Sequence, residues 1–375
     1  MKNILFLTGT RADFGKIKTL IEVLSGDKRF NVHVFVTGMH MQELYGSTYI
    51  EVERCGFKNI YKFVNATSES TMDLTLAKTI EGLSRYIREF RIDLVVVHGD
   101  RVEALAGAIV GSLNNILVAH IEGGEISGTV DDLIRHAVSK MSHAHFVANE
   151  EAKRRLIQLG ESENSIFIIG SPDMDVMFSE NLPDIQTVKS YYTIPFEKYG
   201  IVMYHPVTTE YNNTKENAEN LVNVLLEDKR NYVVIYPNND LGSTEILTEY
   251  KRLTDNARFR IFPSIRFEYF LTLLRNADFI IGNSSAGIRE APAYGIPSID
   301  IGTRQQNRAT AASIIKCGNS CQEIRNAINS VEKCNANKVI LFGDGKSSLH
   351  FHEVLSLNEF WKIAHQKKFN DLVSV

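Results

Sequence analysis

Acidic and histidine side chains are concentrated after two short apolar runs in the first half of this sequence. The runs at 93–97 and 116–119 predict buried strands, and they are followed by His-Gly-Asp-Arg at 98–101 and His-Ile-Glu-Gly-Gly-Glu at 120–125. Ligands of open parallel sheets bind outside the carboxyl ends of the strands. We therefore expect Asp100 and Glu122 to enter one crevice, where carboxylates and flexible glycine backbone indicate a site that handles a sugar or a phosphate.

A third carboxylate, Asp131, begins a predicted helix at 131–141. The helix dipole at this position favours the ionised, proton-accepting form of a carboxylate. The alternative is a structural role as the helix N-cap, with Arg135 one turn further on. Both roles remain open from the sequence.

A second candidate site, for phosphate, lies late in the chain. The turn Gly-Asn-Ser-Ser-Ala-Gly at 282–287 separates a strand at 279–281 from a helix that starts near Ile288. Backbone N–H groups at a helix start bind phosphate, and the hydroxyls of Ser284 and Ser285 add donors. Glu290, one turn into that helix, would then accept from a ribose. The alternative is an ordinary turn with a serine N-cap and a favourable charge at a helix start.

Two further side chains stand where a diphosphate could be held. Arg11 follows the first strand, at 3–8, and its planar guanidinium suits a diphosphate. His205 ends the first strand of the second half, at 201–205, and is either a ligand contact or a partly buried strand-end histidine. The sequence lacks Gly-x-Gly-x-x-Gly spacing and a Walker loop, so a nicotinamide cofactor is disfavoured.

The motifs that could bind metal are weak. Asp173 and Asp175 follow a Ser-Pro pair, which favours a helix start over a metal–nucleotide site. The histidine pairs at 143/145 and 350/352 have no third ligand nearby in sequence. We expect no metal and no other cofactor.

Composition limits the class of protein. The chain has 375 residues, of which 44% are hydrophobic and 23% charged, with a formal net charge of −4. This length predicts two domains, and the charge disfavours nucleic acid as a partner. No run of about 18 apolar residues predicts membrane insertion, and the first residues do not resemble a secretory signal. Four scattered cysteines are typical of reduced thiols, so we expect a cytoplasmic protein.

Strand and helix patterns alternate along both halves, which predicts parallel βαβ units. We therefore expect two Rossmann-like doubly wound parallel-sheet domains facing a cleft. The first domain, 1–172, would carry the acid/base carboxylates, and the second, 173–355, would bind the phosphates. A C-terminal helix, 356–375, would pack back on the first domain. Predicted strands are at 3–8, 32–36, 93–97, 116–119, 145–148, 166–169, 201–205, 232–236, 259–262, 279–281 and 298–301, and predicted helices are at 16–25, 71–88, 103–113, 131–141, 267–275 and 348–365.

Several of these motifs, taken together in order and spacing, resemble the hydrolysing UDP-N-acetylglucosamine 2-epimerases, above all the bacterial type of sialic acid and capsule synthesis. The resemblance extends from Met1 to about residue 345. Non-hydrolysing relatives usually carry Pro-Glu in place of Ala12-Asp13 and Thr in place of Arg101, so these positions favour the hydrolysing branch. The motifs lie at residues 9–13, 38–40, 98–101, 120–125, 128–136, 205–209, 282–285, 289–290 and 302–305.

The resemblance implies the glycosyltransferase-B-like arrangement of two domains and an enzyme that needs neither NAD nor an obligatory metal. It implies conversion of UDP-N-acetylglucosamine and water into N-acetylmannosamine and UDP, through elimination to 2-acetamidoglucal and rehydration. It also implies a homo-oligomer, either a dimer or a tetramer. The implied catalytic residues are Asp100, Glu122, Asp131 and His205, and the implied substrate-binding residues are Arg11, His40, Arg101, Asn238, Ile265, Ser284, Ser285, Glu290 and Arg304.

Other functions stay open at this point. The same chemistry could act on a UDP-2,4-diacetamido-trideoxyhexose, as in legionaminic acid synthesis. A non-hydrolysing epimerase, a glycosyltransferase of the same architecture and a non-catalytic sensor of nucleotide sugars are further alternatives. Fold analogy alone does not choose among them, whereas the carboxylate cluster favours the epimerase.

Overall fold

The computed structural model describes residues 1–66, 71–126, 130–306, 311–334 and 336–371. Within these residues all strands belong to two parallel sheets, and helices connect successive strands up to β12. The strands are β1 (Lys2–Thr8), β2 (Phe30–Val36), β3 (Asn59–Lys62), β4 (Leu94–His98), β5 (Leu117–Ile121), β6 (Ala144–Val147), β7 (Ile166–Ile168), β8 (Gly200–Met203), β9 (Tyr232–Ile235), β10 (Phe259–Phe262), β11 (Phe279–Gly282), β12 (Ser298–Ile301) and β13 (Ile314–Cys317).

The helices differ in length from five residues to eighteen. They are α1 (Arg11–Ser25), α2 (Tyr49–Arg54), α3 (Met72–Glu89), α4 (Val102–Leu113), α5 (Val130–Met141), α6 (Glu150–Gln158), α7 (Pro172–Met177), α8 (Ile185–Tyr191), α9 (Thr214–Glu227), α10 (Ser243–Tyr250), α11 (Phe267–Arg275), α12 (Glu290–Tyr294), α13 (Cys321–Ser330) and α14 (Ser347–Ser356). Among the residues described, no helix has both the length and the apolar character needed to cross a membrane.

The chain divides into two compact units. Unit 1 comprises Met1–Glu125, Asp131–Ser179 and Phe342–Val375, and unit 2 comprises Ile126–Val130 and Glu180–Leu341. The two Rossmann-like sheets were predicted correctly. The boundaries differ from those expected at 172/173 and 355/356, because α7 and the whole segment from Phe342 onward belong to unit 1.

The sheet of unit 1 has the strand order β3-β2-β1-β4-β5-β6-β7. Its central strands are apolar and almost fully buried, as strands covered on both faces must be. The order reverses between β1 and β4, and such a switch point opens a crevice at the carboxyl edge of the sheet. The ends of β1, β4 and β5 are therefore neighbours, with His98 paired in register with Ile121.

The sheet of unit 2 repeats this topology in the order β10-β9-β8-β11-β12-β13, with its switch point between β8 and β11. Its core combines these strands with apolar faces of α9, α10 and α13. The last strand, β13, was not predicted, because its sequence of Ile-Ile-Lys-Cys is short and only half-buried.

The predicted helix at 348–365 is wrong in its second half. The structure ends α14 at Ser356 and continues with a single 3-10 turn at Phe360–Lys362. The Trp361 indole donates to the carbonyl of Leu355 at 2.8 Å, which folds the chain back after the helix. In unit 1, α14 packs against α1 and α7. The C-terminal helix expected at 356–375 does not form over the described residues 357–371, where the 3-10 turn is the only helical segment.

Candidate active site

A buried histidine joins two carboxylates at the carboxyl edge of the unit 1 sheet. His98, the last residue of β4, has its Nδ1 at 2.7 Å from Asp13 Oδ1 and its Nε2 at 3.1 Å from Glu122 Oε2. Asp13 lies in the first turn of α1, and Glu122 directly follows β5. We call these three side chains the Asp13–His98–Glu122 chain.

Hydrogen bonds from β1 fix the Asp13 end of this chain. The hydroxyl of Thr8 donates to Asp13 Oδ2 at 2.7 Å, and the backbone N–H of Gly9 donates to the same oxygen at 3.1 Å. Asp13 therefore has three donors around its two oxygens, which stabilise its carboxylate in a single orientation.

The charge of His98 follows from its two partners. Burial by itself would lower the pKa of its imidazole, but the nearby carboxylate of Glu122 and the hydrogen bond to Asp13 outweigh burial and raise the pKa to about 9. Both ring nitrogens then carry protons and donate, one to each carboxylate. His98 is thus an imidazolium held between two anions at neutral pH.

Glu122 is held at both its side chain and its backbone. The hydroxyl of Ser171 donates to Oε1, while Oε2 faces His98. Its φ of 62° is unusual for a residue with a side chain. The N–H of Glu122 donates to the carbonyl of Phe146 at 2.9 Å, and its carbonyl accepts from Arg135 Nη1 at 2.6 Å. Backbone strain that is held this firmly is typical of functional positions.

Arg135 also orients Asp100. Its Nη2 forms an ion pair with Asp100 Oδ2, so one guanidinium joins the backbone of Glu122 to the carboxylate of Asp100. Asp100 follows Gly99, a residue with φ of 72°, whose carbonyl accepts from His120 Nε2 at 2.8 Å. The Asp100 side chain is 24% exposed, against 5% for Glu122, so Asp100 is the more accessible of the two acids.

Asp131 lies in the first turn of α5 and is half-buried, where the dipole of a twelve-residue helix favours its ionised form. The preceding part of its motif, Gly128 and Thr129, lies outside the described residues.

His40, which was predicted to contact the sugar, is fully buried. Its side chain has no exposed surface, its Nε2 lies 3.2 Å from the Thr8 hydroxyl, and its Nδ1 lies 2.7 Å from the Thr48 hydroxyl. Burial lowers the pKa of His40 to about 4, so the ring is neutral at pH 7. The structure gives His40 a supporting position beneath Thr8 and Asp13, and its predicted contact with a sugar stays a prediction.

The two predicted arginines of unit 1 begin helices. Arg11 is the first residue of α1, which starts five residues earlier than expected, and its Nη2 lies 3.7 Å from Glu51 Oε1. Arg101 is the N-cap of α4, and its Nε lies 3.4 Å from the buried Glu103 Oε2. Acidic neighbours of this kind orient both guanidinium groups.

His205 of unit 2 is held by the side chain of Asn283. The Asn283 amide accepts from the His205 N–H at 2.6 Å and donates to the His205 carbonyl at 2.8 Å, which connects the segments after β8 and β11. The N–H of Asn238 donates to His205 Nδ1 at 3.0 Å. In the neutral ring the proton is therefore on Nε2, which makes that nitrogen a donor. The strand ends at Met203, two residues before His205, and not at His205 as predicted.

The glycine-serine turn forms as expected, but the helix after it is short. Ser284 caps a 3-10 turn at Ser285–Gly287, and α12 begins only at Glu290. Glu290 is therefore the first residue of that helix and not one turn into it. Since α12 has five residues, its dipole is weak, and backbone N–H groups and hydroxyls of the turn would have to carry most of any phosphate binding.

Other predicted residues of unit 2 support the same turn. Arg304 Nη1 and Gln305 Nε2 both donate to the carbonyl of Asn283, at 3.3 Å and 2.7 Å. Ile265 is buried three residues after the end of β10, and the following N–H, of Arg266, donates to the Tyr192 hydroxyl at 2.9 Å. The turn, Asn238 and Arg304 thus lie around the switch point of the second sheet.

The weak metal motifs are engaged in structural contacts. Asp173 pairs with Lys16 at 3.1 Å, and Asp175 accepts from the N–H groups of Ser347 and Ser348 at 2.7 Å each, at the start of α14. Over the described ranges, no group of three or more histidine, cysteine or acidic side chains is arranged to hold a metal.

Sequence reasoning missed five polar residues that organise the two sites. Asp13, His98 and Asn283 stood inside quoted motifs, but strand and helix periodicity gives no sign that Asp13 bonds to His98, His98 to Glu122, or Asn283 to His205. Arg135 was considered only as a partner of Asp131, and Ser171 only as a residue before a helix start. The position of Arg135 next to the apolar Ile134 and Val138 was the available sequence signal that this arginine is buried, as the structure shows.

A sequence model of the UDP-N-acetylglucosamine 2-epimerase family matches residues 22–356. This chain belongs to that family. It is 50% identical over 376 residues to the UDP-N-acetylglucosamine 2-epimerase of Neisseria meningitidis serogroup B, covering 99% of this chain and 100% of the relative. It is 32% identical to the UDP-N,N'-diacetylbacillosamine 2-epimerase (hydrolyzing) of Legionella pneumophila, covering 95% and 96%.

Solved structures agree on the fold. The chain superposes with a TM-score of 0.80 on the UDP-GlcNAc 2-epimerase from Neisseria meningitidis bound to UDP-GlcNAc, at 20% identity, covering 94% of this chain and 99% of that one. The TM-score is 0.81 for the Methanocaldococcus jannaschii UDP-GlcNAc 2-epimerase in complex with UDP-GlcNAc and UDP, at 22% identity, covering 95% and 99%. The predicted membership of the UDP-N-acetylglucosamine 2-epimerase family and the two predicted parallel α/β sheets are confirmed, and the hydrolysing branch stays a prediction.

Proposed function

We propose that this chain is a hydrolysing UDP-N-acetylglucosamine 2-epimerase that converts UDP-N-acetylglucosamine and water into N-acetylmannosamine and UDP, as the first step of sialic acid synthesis. The observation that carries the proposal is the group of acids at the carboxyl edge of the unit 1 sheet. Asp100 and Glu122 share Arg135, and Asp131 lies in the first turn of the helix that carries this arginine. The 50% identity to the Neisseria meningitidis epimerase supports it.

The reaction needs proton transfer on two faces of the sugar ring. The C2–H of the substrate is not acidic, because no carbonyl is adjacent to C2. Departure of UDP with the electron pair of the C1–O bond gives C1 oxocarbenium character, and this charge acidifies C2–H. A carboxylate takes the proton and the C1–C2 double bond of 2-acetamidoglucal forms. Water then adds its oxygen to C1 while a proton reaches C2 from the opposite face, which gives the manno configuration.

The two units supply different parts of this chemistry. In the proposal, Asp100, Glu122 and Asp131 of unit 1 are the acid/base groups, and each such group typically contributes about 10²–10⁴-fold. Within unit 2, His205 would stabilise the negative charge of departing UDP through its Nε2–H, together with the serines of the 282–287 turn. Within unit 1, Arg11 would contact the substrate. In unit 2, Glu290 would accept from the ribose, the backbone near Ile265 would contact the uracil, and Asn238 and Arg304 would contact the substrate. In unit 1, Arg101 would also contact the substrate.

Release of a free sugar, and not of a UDP-sugar, is the finer part of the proposal. It rests on Ala12-Asp13 and on Arg101, which replace residues usual in non-hydrolysing relatives. Asp13 bonds to His98, which in turn bonds to Glu122, so this substitution is connected to an acid group through one histidine. Homo-oligomerisation and a cytoplasmic location stay predictions.

The test is product analysis in heavy water. We expect incubation with UDP-N-acetylglucosamine to give UDP and free N-acetylmannosamine carrying deuterium at C2, read by ¹H NMR. A UDP-linked product would indicate the non-hydrolysing reaction, and an intact substrate would exclude an epimerase. Release without any acceptor sugar would exclude a glycosyltransferase. A product without deuterium at C2 would contradict the elimination.

One alternative substrate has specific support. The Legionella pneumophila relative that is 32% identical is a UDP-N,N'-diacetylbacillosamine 2-epimerase (hydrolyzing). The same chemistry on a UDP-2,4-diacetamido-trideoxyhexose would place an acetamido group at C4 and no hydroxyl at C6. Competition between the two UDP-sugars in one reaction decides between them, and we expect the higher kcat/KM for UDP-N-acetylglucosamine.

A further inference from the structure

Two side chains beside the acid groups have no role in the steps above. Asp13 and His98 transfer no proton to the sugar in the proposed reaction, yet they are joined to Glu122 by hydrogen bonds of 2.7 Å and 3.1 Å. His98 is enclosed, with 9% of its side chain exposed, and no water is needed to connect the three groups.

We propose that Asp13 and His98 are positioning residues that hold Glu122 in one orientation and in its ionised form at the start of each turnover. The inference rests on the proposed function, in which Glu122 is an acid/base group. It adds the two residues that set the orientation and the ionisation of Glu122.

The geometry favours a cationic ring when both carboxylates are ionised. Each nitrogen of His98 faces a carboxylate oxygen, so a neutral ring would direct one lone pair at an anion. Protonation turns both contacts into charge-assisted hydrogen bonds, which are about twice as strong as neutral ones. A fixed cation near Glu122 in turn favours its carboxylate form, because the coupling between two groups is reciprocal.

Asp13 keeps the ring in place. Thr8 and Gly9 hold Oδ2 of Asp13, and Oδ1 is left to accept from His98 Nδ1. The imidazole therefore cannot rotate away from Glu122 without losing this bond. Ser171 holds the other oxygen of Glu122, so both oxygens of the carboxylate have fixed donors.

Other charged groups lie on the elements around the Asp13–His98–Glu122 chain. The Coulombic effect of Glu122 on His98 is opposed by burial, and His98 in turn acts on His120, whose own pKa burial lowers to about 3. The neighbouring charged or titratable groups are Arg11 and Lys16 on α1, Asp100 after β4, His120 on β5, Arg135 on α5, Asp173 on α7 and His40 before α2.

The first test measures the charge of His98 without using activity. Imidazole ¹³C and ¹⁵N chemical shifts of the full chain should show His98 protonated until about pH 9. Asp13→Asn and Glu122→Gln should each lower its titration midpoint by about 1–3 pH units, because each removes a neighbouring anion. A midpoint near 6.5 in the unaltered protein, or no change in either variant, would overturn the proposal.

The second test is the pH profile of kcat/KM. In His98→Gln the acidic limb should move to higher pH, because loss of the cation raises the pH at which Glu122 takes up a proton. In Asp13→Asn the alkaline limb should move to lower pH, because His98 loses its proton at a lower pH than in the unaltered protein. A merely structural role would lower activity at every pH and leave both limbs in place, which would contradict the inference.

His33→Gln is the matched control. His33 is also buried in unit 1, where it contacts the Tyr86 hydroxyl at 2.7 Å, and its substitution should move neither limb. Circular dichroism checks that each variant folds. If His98→Gln does not fold, the pH profile of Asp13→Asn tests the proposal. If the unaltered protein has no activity on UDP-N-acetylglucosamine, the proposed function fails, while the chemical-shift titration still decides the charge state.

Discussion

At the scale of single residues, each of the two acids has a basic side chain in contact with it. Glu122 faces His98, and Asp100 faces Arg135. The same guanidinium contacts the backbone of Glu122, so the two acids are held relative to each other by one side chain. Precise placement of acid/base groups is what makes proton transfer in a bound substrate fast.

Asp100→Asn should separate chemistry from binding. We expect turnover of UDP-N-acetylglucosamine to fall by about 10²–10⁴-fold, because an amide cannot exchange the proton. The affinity for UDP, measured by calorimetry, should stay within roughly threefold, which is below about 1 kcal/mol.

Asp93→Asn is a suitable comparison. Asp93 immediately precedes β4, at the end of the strand opposite to Asp100, and its side chain is 23% exposed, close to the exposed fraction of Asp100. It should leave turnover unchanged. Near-normal turnover in Asp100→Asn would show that Asp100 is not an acid/base group.

At the scale of elements, the turn after β11 depends on one glycine. Gly282 pairs in register with Met203 of β8 and has φ of 140°. A Cβ at this position would lie 2.0 Å from the Met203 carbonyl oxygen, a backbone atom that cannot move without displacing the strand. The close approach of β8 and β11 therefore positions both His205 and Ser284.

Gly282→Ala should consequently weaken UDP binding by at least about tenfold, or about 1.4 kcal/mol, and lower the thermal midpoint. Gly26→Ala is the control, because φ there is −75° and a Cβ would meet its nearest neighbour at 3.5 Å. UDP titration by calorimetry and thermal unfolding measure both effects. Unchanged UDP affinity in Gly282→Ala would mean that this turn does not bind the nucleotide.

At the scale of the whole molecule, buried histidines are concentrated in unit 1. Burial lowers the pKa of His33, His40, His120, His143 and His145, so these rings are neutral in the folded state. In the unfolded chain they would take up protons near pH 6.5. Stability from these groups is therefore present above pH 6.5 and is lost as the pH falls below it.

His98 changes the pH dependence of stability in the opposite direction. Its raised pKa of about 9 means that the folded state binds the extra proton, so its contribution is complete below pH 6.5 and is lost as the pH rises towards 9. We expect the thermal midpoint of unit 1 to be highest near neutral pH and to fall from pH 6.5 to pH 5. Fluorescence of Trp361 reports this unit, since the sequence has one tryptophan and it lies in Phe342–Val375. A midpoint that is flat from pH 7 to pH 5 would contradict this assignment of neutral histidines.

The sequence determined the local structure and the identity of the acids. Alternating apolar strands and amphipathic helices predicted both sheets, and the residues after β4 and β5 predicted that Asp100 and Glu122 lie at one edge. These features depend on neighbours within a few positions along the chain, which periodicity and turn chemistry record. The order of so many short motifs was enough to indicate the family.

The groups that bond to these acids come from distant parts of the chain and are known only from the folded protein. Asp13 and His98 are 85 residues apart, and Ser171 and Glu122 are 49 apart, yet each pair is in hydrogen-bonding contact. Lys16 and Asp173, 157 residues apart, pair in the same way. The strand order that brings them together reverses at β1, and no local pattern encodes that reversal. Because the charge of a buried group depends on its spatial neighbours, the protonation of His98 could be known only once the sheet was assembled.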